Sequence, residues 1–197
     1  MKTTILLTTC LFAAGGMMFN KPIATEKKAA KVAATVSRAV STSKRFSSKP
    51  QSPMYIVVDK RKYELSVYDA QGWYATYPVV FGNNSLADKK MEGDRNTPEG
   101  TFRINQKNVH SKWYRFMGID YPTKESLEKF NRRKQQGEIP ANAKPGGSIG
   151  IHGTWPGEDY VIDKYDNWTL GCISMKRNDV QDLYSYVPVG TPVTIRK

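Results

Sequence analysis

A chain of 197 residues with 39% hydrophobic content can build one well-buried domain with appendages, and is too short for two large ones. Its formal net charge of +12 is unevenly spread: between residues 21 and 52 eight Lys/Arg stand against Glu26 alone. Because that charge follows an export-like leader instead of marking a folded face, nucleic acid is disfavoured as a partner.

The opening "MKTTILLTTCLFAAGG" has Lys2, an apolar run from Ile5 to Ala14 and then small residues. This is the layout of a secretory signal and is too short to span a bilayer, so residues 1–20 are expected to be a signal peptide or N-terminal anchor of an exported protein. Cys10 lies inside it. It leaves with the signal or, with "LTTC" taken as a weak lipobox, becomes a lipidated N-terminus, although Thr9 is unusual before such a cysteine. Either way Cys172, the other cysteine, has no disulfide partner in the mature chain. Residues 21–52, rich in Lys, Ala and Ser, lack the large apolar residues needed to fold and are expected to be a basic flexible linker. Such a linker is drawn to anionic headgroups or acidic wall polymers at about 1 kcal/mol per charge near a membrane surface. A solvated tether without a partner is the plainer alternative.

The folded domain is expected over 53–197. "MYIVVD", "YELSVYD" and "WYATYPVVFG" are short β-branched and aromatic runs with tight turns between them, the pattern of an antiparallel meander. In the middle run Tyr63, Leu65 and Val67 face one way and Glu64, Ser66 and Tyr68 the other. "GDRNTPEGTFRI" is an ordered loop entering a strand at Thr101 to Ile104. Residues 105–147 are the least strand-like part, with one helix in "TKESLEKFNRRKQQG" between an N-cap at Thr123 and a stop at Gly137. "SIGIHGT" is a strand delivering His152 to its end. "RNDVQDLYSYV" is an amphipathic helix capped by Asn178 with Val180, Leu183, Tyr184 and Val187 inward, and "GTPVTI" a closing strand. No repeat, dinucleotide loop or phosphate loop is present. The sequons "NNS" and "NWT" matter only in a eukaryotic secretory route.

Chemistry concentrates in "IHGT" and "NWTLGC". A thiol attacks acyl carbon as thiolate, and a neighbouring imidazole is the usual means of making it nucleophilic near neutrality. His152 is the candidate, since His110 in "NVHSKW" fits a loop residue. Gly171 allows close backbone approach, so the amides of Leu170, Gly171 and Cys172 would serve an oxyanion. No side chain at Gly153 orients the ring, which leaves a backbone carbonyl, most simply that of Gly153, to hold the tautomer. Spacing alone leaves open an inert buried thiol and a histidine that merely ends a strand.

"IHGT" followed by "TLGCISM" resembles the YkuD-type L,D-transpeptidase family, whose pattern is His-Gly, a spacer, then Ser/Thr-x-Gly-Cys. The resemblance extends to "GDRNTPEGTFRI" and "GIDYP" and covers about residues 54–196. It implies a mainly β, β-sandwich-like domain with short helices, facing the periplasm or cell wall. The implied reaction is attack by Cys172 on a peptidoglycan stem tetrapeptide, loss of D-alanine and transfer of the acyl group from the thioester to an amine. Stem peptides are then donor and acceptor, and carbapenem-type β-lactams are expected covalent inhibitors. No cofactor or metal is implied. Thr169 matches the Ser/Thr position, with a turn hydroxyl as its other reading. Ser174, Thr154 and Trp155 are candidate substrate contacts.

Many members carry His before the Gly-Cys and Arg two residues after the cysteine, where this chain has Leu170 and Ser174. A substrate carboxylate would then need Lys107, Lys112 or Arg115. Trp113, Trp155 and Trp168 would line a groove for a sugar-peptide polymer or, the better expectation for each, pack into the core. Alternatives are hydrolysis of the same acyl-enzyme (an L,D-carboxypeptidase or amidase) and a wall-binding module with a vestigial thiol. A papain-like protease is disfavoured by the order of His and Cys.

Overall fold

Alternating apolar residues build the first sheet face. The computed structural model describes residues 42–45 and 49–197, within a compact unit spanning Ala39–Lys197. The expected signal segment and most of the basic linker therefore lie outside the described residues. Strands β2 (Tyr55–Asp59), β3 (Glu64–Asp69) and β4 (Gly72–Pro78) form the antiparallel meander. Leu65 and Val67 are fully buried while Glu64, Ser66 and Tyr68 are half-buried, each aliphatic burial contributing roughly 1.5–3 kcal/mol. A short strand from the expected linker, β1 (Ser43–Lys44), adds antiparallel to the β4 edge.

The closing strand β9 (Pro192–Arg196) lies parallel to β2 and antiparallel to β5 (Gly100–His110). β5 runs on well past Ile104 and pairs with β6 (Tyr114–Ile119). The region expected to be least strand-like thus holds a long hairpin, and His110 ends a strand. Its polar alternation (Asn105, Gln106, Lys107, Asn108) hid it, because β5 is half-exposed there. Helix α1 (Lys124–Gln135) follows, with Thr123 Oγ1 accepting from Ser126 N as its N-cap. β7 (Gly150–Gly153) pairs antiparallel with β6 and parallel with β8 (Ile173–Met175). Between them lies the single-turn helix α2 (Tyr160–Asp163).

Among the described residues nine strands form one sheet in the order β1-β4-β3-β2-β9-β5-β6-β7-β8. The ends meet: Val80 and Ser174 exchange backbone hydrogen bonds, each 2.9 Å, joining the exit of β4 to β8. Helix α3 (Arg177–Tyr186) packs on β6 and β7 and buries Val180 and Leu183, with Val187 buried just after it. Its start differs from the expected Asn178 cap. Lys176 holds that position, and Asp159 Oδ1, from before α2, accepts the Arg177 amide at 3.0 Å.

Candidate active site

Strand register brings the thiol and imidazole to one face. In the parallel β7–β8 pair His152 lies opposite Ser174, and the period of two puts the side chain of Cys172, two residues before Ser174, on the same side as that of His152. Both line one cleft of about 550 Å³, with Lys89, Trp113, Ser148, Trp155, Trp168 and Thr169 among its walls.

His152 is 2% exposed and its ring lies flat on Trp113 (4.8 Å between centroids), with Trp168 edge-on at 5.5 Å. Nδ1 is 2.8 Å from the Gly153 carbonyl. A carbonyl only accepts, so Nδ1 carries the proton and Nε2 is left as the basic nitrogen. Burial in the aromatic wall lowers the imidazole pKa to about 4, against the opposing pull of the Gly153 carbonyl. The ring is therefore neutral at pH 7. His110 extends the stack, lying on the far side of Trp113 at 4.3 Å. The three tryptophans, for each of which core packing was the better expectation, all line the cleft, and the indoles of Trp113 and Trp168 wall the imidazole.

Cys172 donates its hydrogen bond to the Ser148 carbonyl, 3.6 Å from Sγ, rather than to the imidazole. Burial pushes its thiol pKa up, while the Gly150 amide and the Lys89 charge pull it down. The turn before it is built by Thr169, whose Oγ1 donates to the Cys172 carbonyl (2.8 Å) and accepts from Gly171 N (3.1 Å). That engages the Gly171 amide, one of the three expected oxyanion donors. Gly171 has φ +129°, and a Cβ there would fall 2.9 Å from the Asn96 carbonyl. Behind it Gly82 is more crowded still, with a Cβ position 1.8 Å from the Arg95 carbonyl. Arg95 also donates to the Thr169 and Asn167 carbonyls. The "GDRN" loop thus braces the cysteine turn from behind, a role its glycine and threonine-proline spacing did not disclose. Asn167 is buried and its side-chain amide bonds to Phe81 N, Tyr63 and Asn84, which leaves the "NWT" sequon no accessible nitrogen.

Other expected contacts lie elsewhere. Ser174 is fully buried in the seam with Val80 and does not line the cleft. Thr154 is likewise buried, its hydroxyl donating to Asp159 and its carbonyl accepting from Arg177 (3.2 Å), so it ties β7 to α3. Both are small polar residues that the closed sheet absorbs. Lys107 caps the α3 end through the Tyr184 and Val187 carbonyls (2.7 Å each), and Arg115 bonds Gln181. Of the three expected cations only Lys112 stays near the cleft, over the Trp155 ring at 5.4 Å. Lys89, which sequence reasoning missed, is the lysine in the cleft wall.

Comparison with known proteins agrees with this architecture. The family model described as YkuD, L,D-transpeptidase catalytic domain, matches residues 53–195. The Bacillus subtilis (strain 168) protein named "Putative L,D-transpeptidase YqjB" is 30% identical over 146 residues, 72% of this chain and 70% of that protein. The crystal structure of the helical cell shape determining protein Pgp2 from Campylobacter jejuni shares the fold, with a TM-score of 0.53 at 18% identity over 83% of this chain and 53% of that one. The chain therefore spans about half the length of that structural relative. With the family model covering residues 53–195, which hold strands β2 to β8, nearly all of β9 and the cleft, this chain belongs to the YkuD family of L,D-transpeptidase catalytic domains.

Proposed function

We propose that the protein is a cysteine-dependent peptidoglycan L,D-transpeptidase of the cell envelope, exported by its N-terminal segment. The observation that carries this reading is a neutral imidazole, its Nδ1 proton held by the Gly153 carbonyl, opening on the same cleft as Cys172. Nε2 of His152 takes the thiol proton as sulfur attacks the carbonyl of the L-centre preceding a terminal D-alanine. The amides of Leu170 and Cys172 would receive the oxyanion. As the tetrahedral intermediate collapses, the C–N bond breaks, the imidazolium returns its proton to the leaving amine and D-alanine departs, leaving a thioester. An amine from a second stem peptide, deprotonated by His152, then attacks the thioester and frees the thiol. Trp113, Trp155 and Trp168 give a wall suited to a sugar-peptide polymer.

Incubation with a disaccharide tetrapeptide should release D-alanine and form an adduct on Cys172 visible by intact mass. Cys172→Ala should do neither, and equal release by that variant would overturn the mechanism. A carbapenem should add its mass to the parent protein and nothing to Cys172→Ala.

A further inference from the structure

The proton transfer above has an electrostatic difficulty. Burial lowers the basicity of the imidazole to about 4 and raises the thiol pKa. In the empty cleft the two alone therefore favour the neutral thiol and neutral ring over a thiolate–imidazolium pair. A thiolate there needs another source of positive charge.

Lys89 lies in the wall of the same cleft and is only 5% exposed. Its ammonium meets Asp94 Oδ1 at 2.8 Å, a buried lysine charge being tolerable only when paired. Asp94 is itself held by amides: Lys90 N (2.6 Å), Met91 N (3.1 Å) and Asn96 N (2.9 Å) all donate to its carboxylate. Against the desolvation of the carboxylate, the bond from Lys89 and then these amides hold the Asp94 pKa below its ordinary value, and the amides disperse its charge into the loop backbone. The cation is thus anchored from behind by the loop that braces the cysteine turn. An ammonium has three donors, and Asp94 is the one hydrogen-bond partner of Lys89 Nζ among the described residues, the Arg133 bond going to the Lys89 carbonyl, so donors remain for the cleft. The other charged or titratable groups near the sulfur are His152, Glu92 on the rim, and Lys112 over Trp155. Glu92 is exposed and of the wrong sign.

We infer that Lys89, positioned by Asp94, is the fixed cation that stabilises the thiolate of Cys172 when the thiol proton moves to His152. Its part is electrostatic, and the only proton moved in the step is the one passed from the thiol to His152. The inference rests on Cys172 as nucleophile but does not depend on which acyl group it takes.

The test is the pH dependence of alkylation of the full chain by iodoacetamide, a neutral reagent that reads the thiolate directly. Lys89→Met should move the profile up by about one pH unit or more, slowing alkylation about tenfold at pH 7. Lys89→Arg should keep the parent profile. If Lys89→Met does not fold, Lys89→Gln keeps a donor to Asp94 without the charge and should show the same shift. An unchanged profile in the uncharged variant overturns the inference, even if it weakens stem-peptide binding, since Lys89 would then serve a substrate carboxylate. Failure of the parent protein to release D-alanine would count against the proposed function and leave the alkylation result standing.

Discussion

At the scale of single residues, the site depends on groups whose environment overrides their ordinary chemistry. His152 has a folded-state pKa of about 4 against 6.5 for the free side chain. Between those values the unfolded chain binds a proton that the folded chain does not. Its contribution to stability is therefore complete above about pH 6.5 and is lost as pH falls toward 4, amounting to about 3 kcal/mol across that window. Thermal melts at pH 7 and pH 4.5 should show this loss in the parent and a smaller one in His152→Phe. Thr169 carries two hydrogen bonds in the cysteine turn. Thr169→Val leaves the Gly171 amide without its acceptor and should cost about 1–3 kcal/mol, with a larger fall in acylation rate than in affinity for the stem peptide. Spacing alone left the pair open, and the resemblance carried by "IHGT" and "TLGC" singled out His152 and Cys172, which the fold brings to one cleft. Neither disclosed that the Gly171 amide is engaged, because the Thr169 hydroxyl had a turn role and a substrate role equally open to it.

At the scale of elements, the surprise is β1. Residues 42–45 belong to the stretch expected to be a flexible linker, yet Ser43–Lys44 pairs with Thr76 and Ala75 of β4. Thr42 donates to Asp179 and Lys44 to Asp182, both on α3, while Arg45 pairs with Asp69. The basic composition that suggested a tether is here answered by acidic side chains distant in sequence. These pairs are partly exposed and individually weak, so a chain beginning at residue 49 should lose about 1–2 kcal/mol in urea unfolding while keeping its thiol alkylation profile. The meander, α1 with its Thr123 cap and the closing strand were legible because periodicity and punctuation are local. The β5–β6 hairpin was not, since the outer part of β5 is polar and mostly exposed, and β6, buried on both faces from Phe116 to Ile119, lacks the alternation that marks a half-buried strand.

At the scale of the whole molecule, the sheet closes through Val80 and Ser174, and the cleft is assembled where its two ends meet. Because the walls come from the 82–96 loop, the β5–β6 hairpin, β7 and the turn before β8, the site should not open independently of the sheet. Far-UV circular dichroism, tryptophan fluorescence and thiol accessibility should share one unfolding midpoint, and an earlier rise in thiol accessibility would show a separately melting site. The sequence by itself determined the β-rich class, the order of its punctuated strands and the two candidate site residues, since these follow from local pattern and from which side chains are suited to acyl chemistry. Only the tertiary structure decided that Ser174 and Thr154 are buried ties, that Lys107 and Arg115 serve α3, and that Lys89 stands in the cleft wall. Whether a polar residue meets substrate or another strand depends on what the fold brings beside it from far along the chain, and local pattern carries no record of that.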